Sequence, residues 1–331
     1  MPRWKLAVLG VAIALHAFAV MAVAVEASHL NYNTAADLPS MLDGTAYSPF
    51  AHRVLMPWTI RAIRAVTPQS LQSGIERWCV GNEGARYVLM HIDAPPELAY
   101  EGLLELGLMY LCLLGFAVFV FRAARILFPD SDAPALMAPF LGLASVSSLW
   151  PQLYMYDEAT LLVWAACLYE TVRGRWDRFF VWFVLGMLNR ETTLYLVLPF
   201  VAYGWRTLPR AKVLRYGAAL VATGVAIKLC LIFRYSDNPG ANVFWDVSGQ
   251  FQYVFTKPYD LIDWIGALTV LLLLTYRWKE KPLVLRWQLI ALVPLVLVYI
   301  TAGSPREYRV FFEIIPAASL LAAHTLSAWW R

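Results

Sequence analysis

Residues 179–204 read FFVWFVLGMLNRETTLYLVLPFVAYG, two apolar runs parted by Asn189-Arg190-Glu191. The stretch either crosses a membrane once, with an ionisable pair at mid-depth, or enters and returns as two half-depth helices meeting at a polar tip. Each arm has ten to thirteen residues, about half a bilayer at roughly 1.5 Å per residue. Basic residues decide between the two, because cytoplasmic connections collect Lys and Arg. With a hairpin, the inner segments hold Arg3, Lys5, Arg122, Arg125, Arg173, Arg175, Arg178, Arg206, Arg210, Lys212, Arg215, Arg277, Lys279, Lys281, Arg286 and Arg331. That is 16 of the 27 Lys and Arg residues. A single through-helix would move the eight basic residues of 206–215 and 277–286 outside. The expected arrangement is therefore a half-depth hairpin, both termini cytoplasmic, with its tip against protein or a watery cavity open to the exterior.

The rest of the chain fits that solvent. Of 331 residues, 60% are hydrophobic and only 15% charged, against about 25% charged in an ordinary soluble protein. Mean hydropathy is +0.55. One soluble core of this size does not hide so much apolar surface, which excludes a soluble enzyme, a disordered protein and a nucleic-acid-binding module. Apolar runs at 6–25, 103–121, 135–150, 153–172, 216–233, 261–276, 283–301 and 310–329 predict about eight full spans. The first follows Arg3 and Lys5 and ends near Ala22-Val23-Ala24, like a signal peptide. Its length exceeds the usual 7–15 residues of such a peptide, and it reads as a retained anchor. The expected fold is all-α: one polytopic membrane domain over 1–331, with residues 26–102 as a long extracytoplasmic loop. That loop carries a helix over 54–66, apolar at Trp58, Ile63 and Val66 and basic at Arg61 and Arg64, suited to a membrane surface. Cys112, Cys167 and Cys230 lie in apolar runs and Cys79 lies in the loop, with neither a disulfide framework nor metal-ligand spacing.

The remaining polar segments gather on the outer side. Asp37 and Asp43 follow the first span and precede YSPFAHRVLMPW at 47–58, which contains Arg53. A carboxylate there can take a proton from an attacking hydroxyl, although acidic outer loops are common without catalysis. Asp157 and Glu158 sit about one turn inside the outer end of the fourth span, where they either complement the helix dipole or serve a site. Asn189, Arg190 and Glu191 are ionisable or polar at membrane depth, a site signal that also fits mutual neutralisation at a hairpin tip. Lys228 lies one or two turns below the outer end of its span. Arg306 and Arg309 precede the last span, and paired guanidiniums suit a phosphate as well as interfacial anchoring. No phosphate-cradling glycine loop, HExxH or GxSxG pattern occurs. No cofactor is called for, and a divalent metal stays open.

Taken together, these segments resemble the GT-C class of membrane glycosyltransferases. The likeness rests on the early span with Asp37 and Asp43 after it, PFAHRVLMP at 49–57, and Tyr156-Asp157 opening a later span. It rests also on Asn189-Arg190-Glu191-Thr192 followed by Leu198-Pro199, and on Arg306-Glu307-Tyr308-Arg309 before the last span. The resemblance implies transfer of a sugar from a polyprenyl-phosphate donor to a glycan, lipid or protein acceptor outside the cytoplasm. The setting would be a bacterial inner membrane, and nucleic acid would play no part. It also implies an acidic base in the first outer loop. The close acidic pair usual there is absent: Asp37 and Asp43 are six apart, leaving the base open between them, with Asp157 a further candidate. Inversion at the anomeric carbon follows from direct attack. Arg306 and Arg309, then Arg190, are expected at the leaving phosphate, supported by Arg53, Glu158, Asn189, Glu191 and Lys228. A secondary transporter or lipid flippase would also carry buried charges and a broken helix, but is usually built from repeats, and none is visible. A non-catalytic assembly subunit is the third reading.

Overall fold

The computed structural model describes residues 2–28, 30–148, 153–241, 248–249, 252, 256, 261–302 and 308–330, and every regular element among them is helical. Helix α1 (Arg3–Ser28) leads into α2 (Leu38–Asp43), α3 (Leu55–Val66), α4 (Gln69–Gly81) and α5 (Glu83–His91). There follow α6 (Ala99–Leu127), α7 (Ala133–Ser148), α8 (Asp157–Val172), α9 (Trp176–Asn189), α10 (Val197–Thr207) and α11 (Arg210–Arg234). The described chain ends with α12 (Leu261–Thr275), α13 (Leu283–Gln288), α14 (Leu292–Ala302) and α15 (Ile315–Trp329). Among the described residues, the region after α1 thus holds four α-helices where one helix was expected. That one, α3, starts a residue later than the pattern suggested.

Among the described residues, five helical stretches are long and apolar enough to cross a membrane: Trp4–Ala27, Pro96–Leu127, Arg210–Arg234, Leu283–Thr301 and Phe311–Trp329. The chain is an integral membrane protein. Helices α7 and α12 are apolar but shorter. α8 has 16 residues, roughly 24 Å of length. It begins at Asp157 rather than 153, because Asp157 closes a turn on itself. The Tyr154 N–H donates to Asp157 Oδ2 at 2.9 Å, and the Asp157 N–H donates to the Tyr154 carbonyl at 2.9 Å.

α8 is buried along nearly its whole length. It packs against α6, α9 and α15, while α7 closes the other side of α6 and α15. Gly142 permits that closure, since a Cβ there would sit 2.5 Å from the Phe116 ring. The outer helices instead expose large apolar side chains, among them Leu15 and Phe18 on α1, Leu229 and Phe233 on α11, and Ile262 and Leu268 on α12. That distribution suits a bundle whose rim faces lipid.

Between α9 and α10 the chain doubles back. Arg190 is extended at φ −159 and ψ 134, and residues Glu191–Leu196 form a 3-10 turn. The Phe200 ring lies 5.1 Å from that of Trp176 and 5.6 Å from that of Phe179. In one straight helix, Trp176 and Phe200 would stand roughly 36 Å apart. Gly186 makes the return possible: a Cβ there would meet Thr193 Cγ2 at 2.5 Å and Val163 Cγ1 at 2.7 Å. The turn carries Asn189, Arg190 and Glu191 to the end of α8 that holds Asp157.

The segment after α2 docks on the segment after α11. Ser48 N–H donates to the Pro239 carbonyl at 2.8 Å, and Asn238 Nδ2 donates to the carbonyls of Gly44 at 2.9 Å and Ala46 at 2.7 Å. This strap places His52 and Arg53 over the same end of the bundle.

Candidate functional site

Four buried charges form the centre. Asp157 Oδ1 lies 3.6 Å from Arg190 Nη1, and its Oδ2 lies 3.4 Å from Arg309 Nη1. Arg190 Nη1 also approaches Glu313 Oε1 at 3.5 Å and donates to the Arg309 carbonyl at 3.4 Å. Thr192 Oγ1 donates to Glu313 Oε1 at 2.6 Å. All four charged side chains are buried. Two guanidiniums and two carboxylates compensate one another here, as buried charges must.

Aromatic rings wall this centre. Tyr154 and Tyr156 stack at 5.4 Å with planes 6° apart, and Phe50 stacks on Tyr154 at 5.4 Å. The Arg309 guanidinium lies 4.0 Å over the Tyr154 ring, and that of Arg53 lies 4.4 Å over Tyr156. Arg53 Nη1 also donates to the Tyr156 hydroxyl. Asn33 Nδ2 donates to the Tyr154 hydroxyl at 2.7 Å. Asn189 holds the hairpin tip against α8, its Nδ2 donating to the Tyr156 carbonyl and to Thr160 Oγ1, both at 2.9 Å.

A second group borders the first and is more open. Arg53 Nη2 lies 3.4 Å from Glu191 Oε1, and Lys228 Nζ lies 3.9 Å from Glu191 Oε2. Lys228 Nζ is also 3.1 Å from His52 Nδ1. The side chains of Lys228 and Glu191 are 24% and 35% exposed. Burial and the neighbouring Lys228 cation push the His52 pKa down to about 4, partly offset by Glu191. The imidazole is neutral at pH 7.

The other residues singled out by their sequence context fall elsewhere or in part. Asp37 Oδ1 accepts the Ser40 N–H at 2.9 Å and caps α2. Asp43 ends α2, is exposed, and lines a cleft of about 400 Å³ with Arg61, Arg64, Gln72 and Glu101. Within that cleft Arg64 pairs with Glu101 at 2.5 Å. The adjoining Gly44 faces the Tyr235 ring, which in turn lies 6.4 Å from His52. Glu158 is buried behind Asp157 and its oxygens find no hydrogen-bond partner among the described residues. Arg306 lies outside the described residues.

Sequence reasoning passes over His52, Thr192 and Asn33 as site members. Their partners lie 176, 121 and 121 residues away in the chain, beyond any spacing rule. Glu105 carries a usable signal, an ionisable group inside an apolar run. It is buried and accepts from Asn31 Nδ2 at 3.1 Å. No family model, curated protein or solved structure matches the chain.

Chemically, the assembly offers a fixed field of cations around the half-buried Glu191 carboxylate, bordered by aromatic rings. Such a field stabilises an anion that develops during reaction. Among the described residues, no three His, Cys, Asp or Glu side chains converge as metal ligands.

Proposed function

We propose that this protein is a GT-C-type membrane glycosyltransferase that moves a sugar from a polyprenyl-phosphate donor to an acceptor on the extracytoplasmic side. One observation carries the reading: five segments distant in sequence bring charged and polar side chains together at one end of the bundle. They are the strap after α2 (His52, Arg53), the start of α8 (Asp157), the hairpin tip (Arg190, Glu191), α11 (Lys228) and the turn before α15 (Arg309, Glu313). In this reading the bundle has about eight spans and a half-depth hairpin, its termini are cytoplasmic, and the charged end opens outward.

The reaction assigns a role to each part. Asp43, the exposed aspartate among the three candidates, takes the proton of the acceptor hydroxyl. The resulting oxygen attacks the anomeric carbon, and the bond from that carbon to the phosphate oxygen breaks. The electron pair leaves with the lipid phosphate, opposite the attacking face, so the configuration inverts. The cations of the polar end hold the departing anion, and Asp157 and Glu313 keep Arg190 and Arg309 in register.

The test is turnover of a radiolabelled polyprenyl-phosphate sugar by the purified protein in lipid nanodiscs. Sugar transfer to an added acceptor, with inverted configuration, is the expected result. Movement of the lipid between leaflets without cleavage of the sugar–phosphate bond would replace this reading with a flippase.

A further inference from the structure

Within the polar end, His52 holds a buried hydrogen-bond donor that the described residues leave unused. An ammonium only donates, so at 3.1 Å from Lys228 Nζ the His52 Nδ1 must accept. The neutral ring then carries its proton on Nε2. That atom is buried and has no hydrogen-bond partner among the described residues, and the residue is 3% exposed. Leaving a buried donor unmade is costly, so this N–H points to a ligand that accepts from it.

The neighbouring groups specify the ligand. Lys228 and Arg53 flank Glu191 at 3.9 and 3.4 Å, longer than the roughly 2.7–2.9 Å of a firm charge-assisted hydrogen bond. Glu191 is shared between the two cations, accepting one long hydrogen bond from Arg53 Nη2. Arg53 is as buried as Arg309, but Arg190 and Arg309 pair with the fully buried Asp157 and Glu313, whereas Glu191 reaches the surface. The open edge therefore sets two cations and a neutral N–H donor around one carboxylate, with exposure at Lys228 and Glu191. A phosphate, with more acceptor oxygens than a carboxylate, suits that set.

We infer that the phosphate of the lipid-linked donor docks at His52, Arg53 and Lys228, with Glu191 holding these cations until the phosphate replaces it. The inference rests on the proposed function for the identity of the donor. It places the phosphate on the open edge and gives Arg190 and Arg309 a positioning role beneath it.

Binding of decaprenyl phosphate to the full chain in nanodiscs tests this directly, with decaprenol and inorganic phosphate as comparators. Lys228→Met should weaken decaprenyl phosphate by about tenfold or more and leave decaprenol unchanged. His52→Gln keeps an N–H near the Nε2 position and should bind within about threefold of the native protein, whereas His52→Asn should lose about tenfold. Glu191→Gln removes a competing negative charge and should tighten binding by about threefold. A merely structural Glu191 would give weaker binding instead, and that result, or equal binding by the two His52 variants, overturns the inference. Inorganic phosphate competing as well as the lipid would overturn the lipid assignment. The two proposals fail separately: tight, variant-sensitive binding without any turnover sinks the transferase, while turnover with unchanged donor dependence in Lys228→Met and His52→Asn sinks the site.

Discussion

At the scale of single residues, the polar end is governed by the cost of burying charge. Asp157 is fully buried and faces two guanidiniums. Removing its charge leaves Arg190 and Arg309 undercompensated, which typically destabilises by roughly 3–5 kcal/mol. Asp157→Asn should therefore unfold at markedly lower denaturant in a detergent-solubilised melt, whatever its activity. Asp43 is the opposite case. It is exposed and ends a helix, so Asp43→Asn should leave the melt unchanged while turnover falls about 10²–10⁴-fold, the usual loss for a general base. Full turnover in that variant would return the role to Asp37 or Asp157. His52 adds a pH signature. Its folded pKa is about 4 against an ordinary value of 6.5. Between those values the unfolded chain binds a proton that the folded chain refuses, so stability falls as pH drops from 6.5 toward 4. Thermal melts across that window should show the loss, and His52→Gln, which cannot titrate, should flatten it. The charged groups facing the ring are Lys228, Glu191 and Arg53, and Glu191→Gln should deepen the fall because it removes the one neighbour that favours protonation.

At the scale of elements, the α9–α10 pair shows what the sequence discloses and what it withholds. Two apolar runs around Asn189-Arg190-Glu191 announce a break, because an apolar helix interrupted by charge has to put that charge somewhere. What the pattern does not announce is the close approach at Gly186, where the returning Thr193 comes within 2.5 Å of a would-be Cβ. A glycine inside an apolar run reads the same whether it meets lipid or packed side chains. Gly186→Leu should force α9 away from Val163 and Thr193 and cost about 1–3 kcal/mol by overpacking, whereas Gly10→Leu on α1, with nothing within 4 Å of its would-be Cβ, should cost little. Comparing the two melts checks whether the hairpin is held by that contact. Hydropathy starts α8 a few residues too early for a similar reason. Leu153, Tyr154 and Met155 continue the apolar run, but the Asp157 carboxylate takes the Tyr154 N–H and ends the helix there. Side-chain hydrogen bonds to nearby backbone compete with helix extension, and an apolar count is blind to them. The candidate site is legible where ionisable groups sit in apolar surroundings, as at Asp157, Arg190 and Lys228. It is illegible at His52, in a loop where a lone imidazole has no periodicity to mark it.

At the scale of the whole molecule, the proposed reading makes a claim about sides. The strap after α2, the tip of α9–α10 and the turn before α15 meet at one end of the bundle, and the transferase reading needs that end to face away from the cytoplasm. The basic residues of 173–178, 206–215 and 277–286 must then lie on the other side, as the charge rule for short cytoplasmic connections requires. Single cysteines test both halves of the claim once Cys79, Cys112, Cys167 and Cys230 have been replaced. Ser70 and Asp237 are exposed and belong to the outer face in this arrangement. Asp177 and Thr207 are also exposed and belong to the inner face, so a failure to react cannot be blamed on burial. An impermeant maleimide added to intact cells should label Ser70→Cys and Asp237→Cys, and should label Asp177→Cys and Thr207→Cys only after the membrane is opened. Labelling of the Thr207 site from outside would mean that residues 179–204 cross the membrane once despite the folded-back contact of Phe200 with Trp176. It would place the second basic cluster outside and remove the topological basis for an extracytoplasmic transferase.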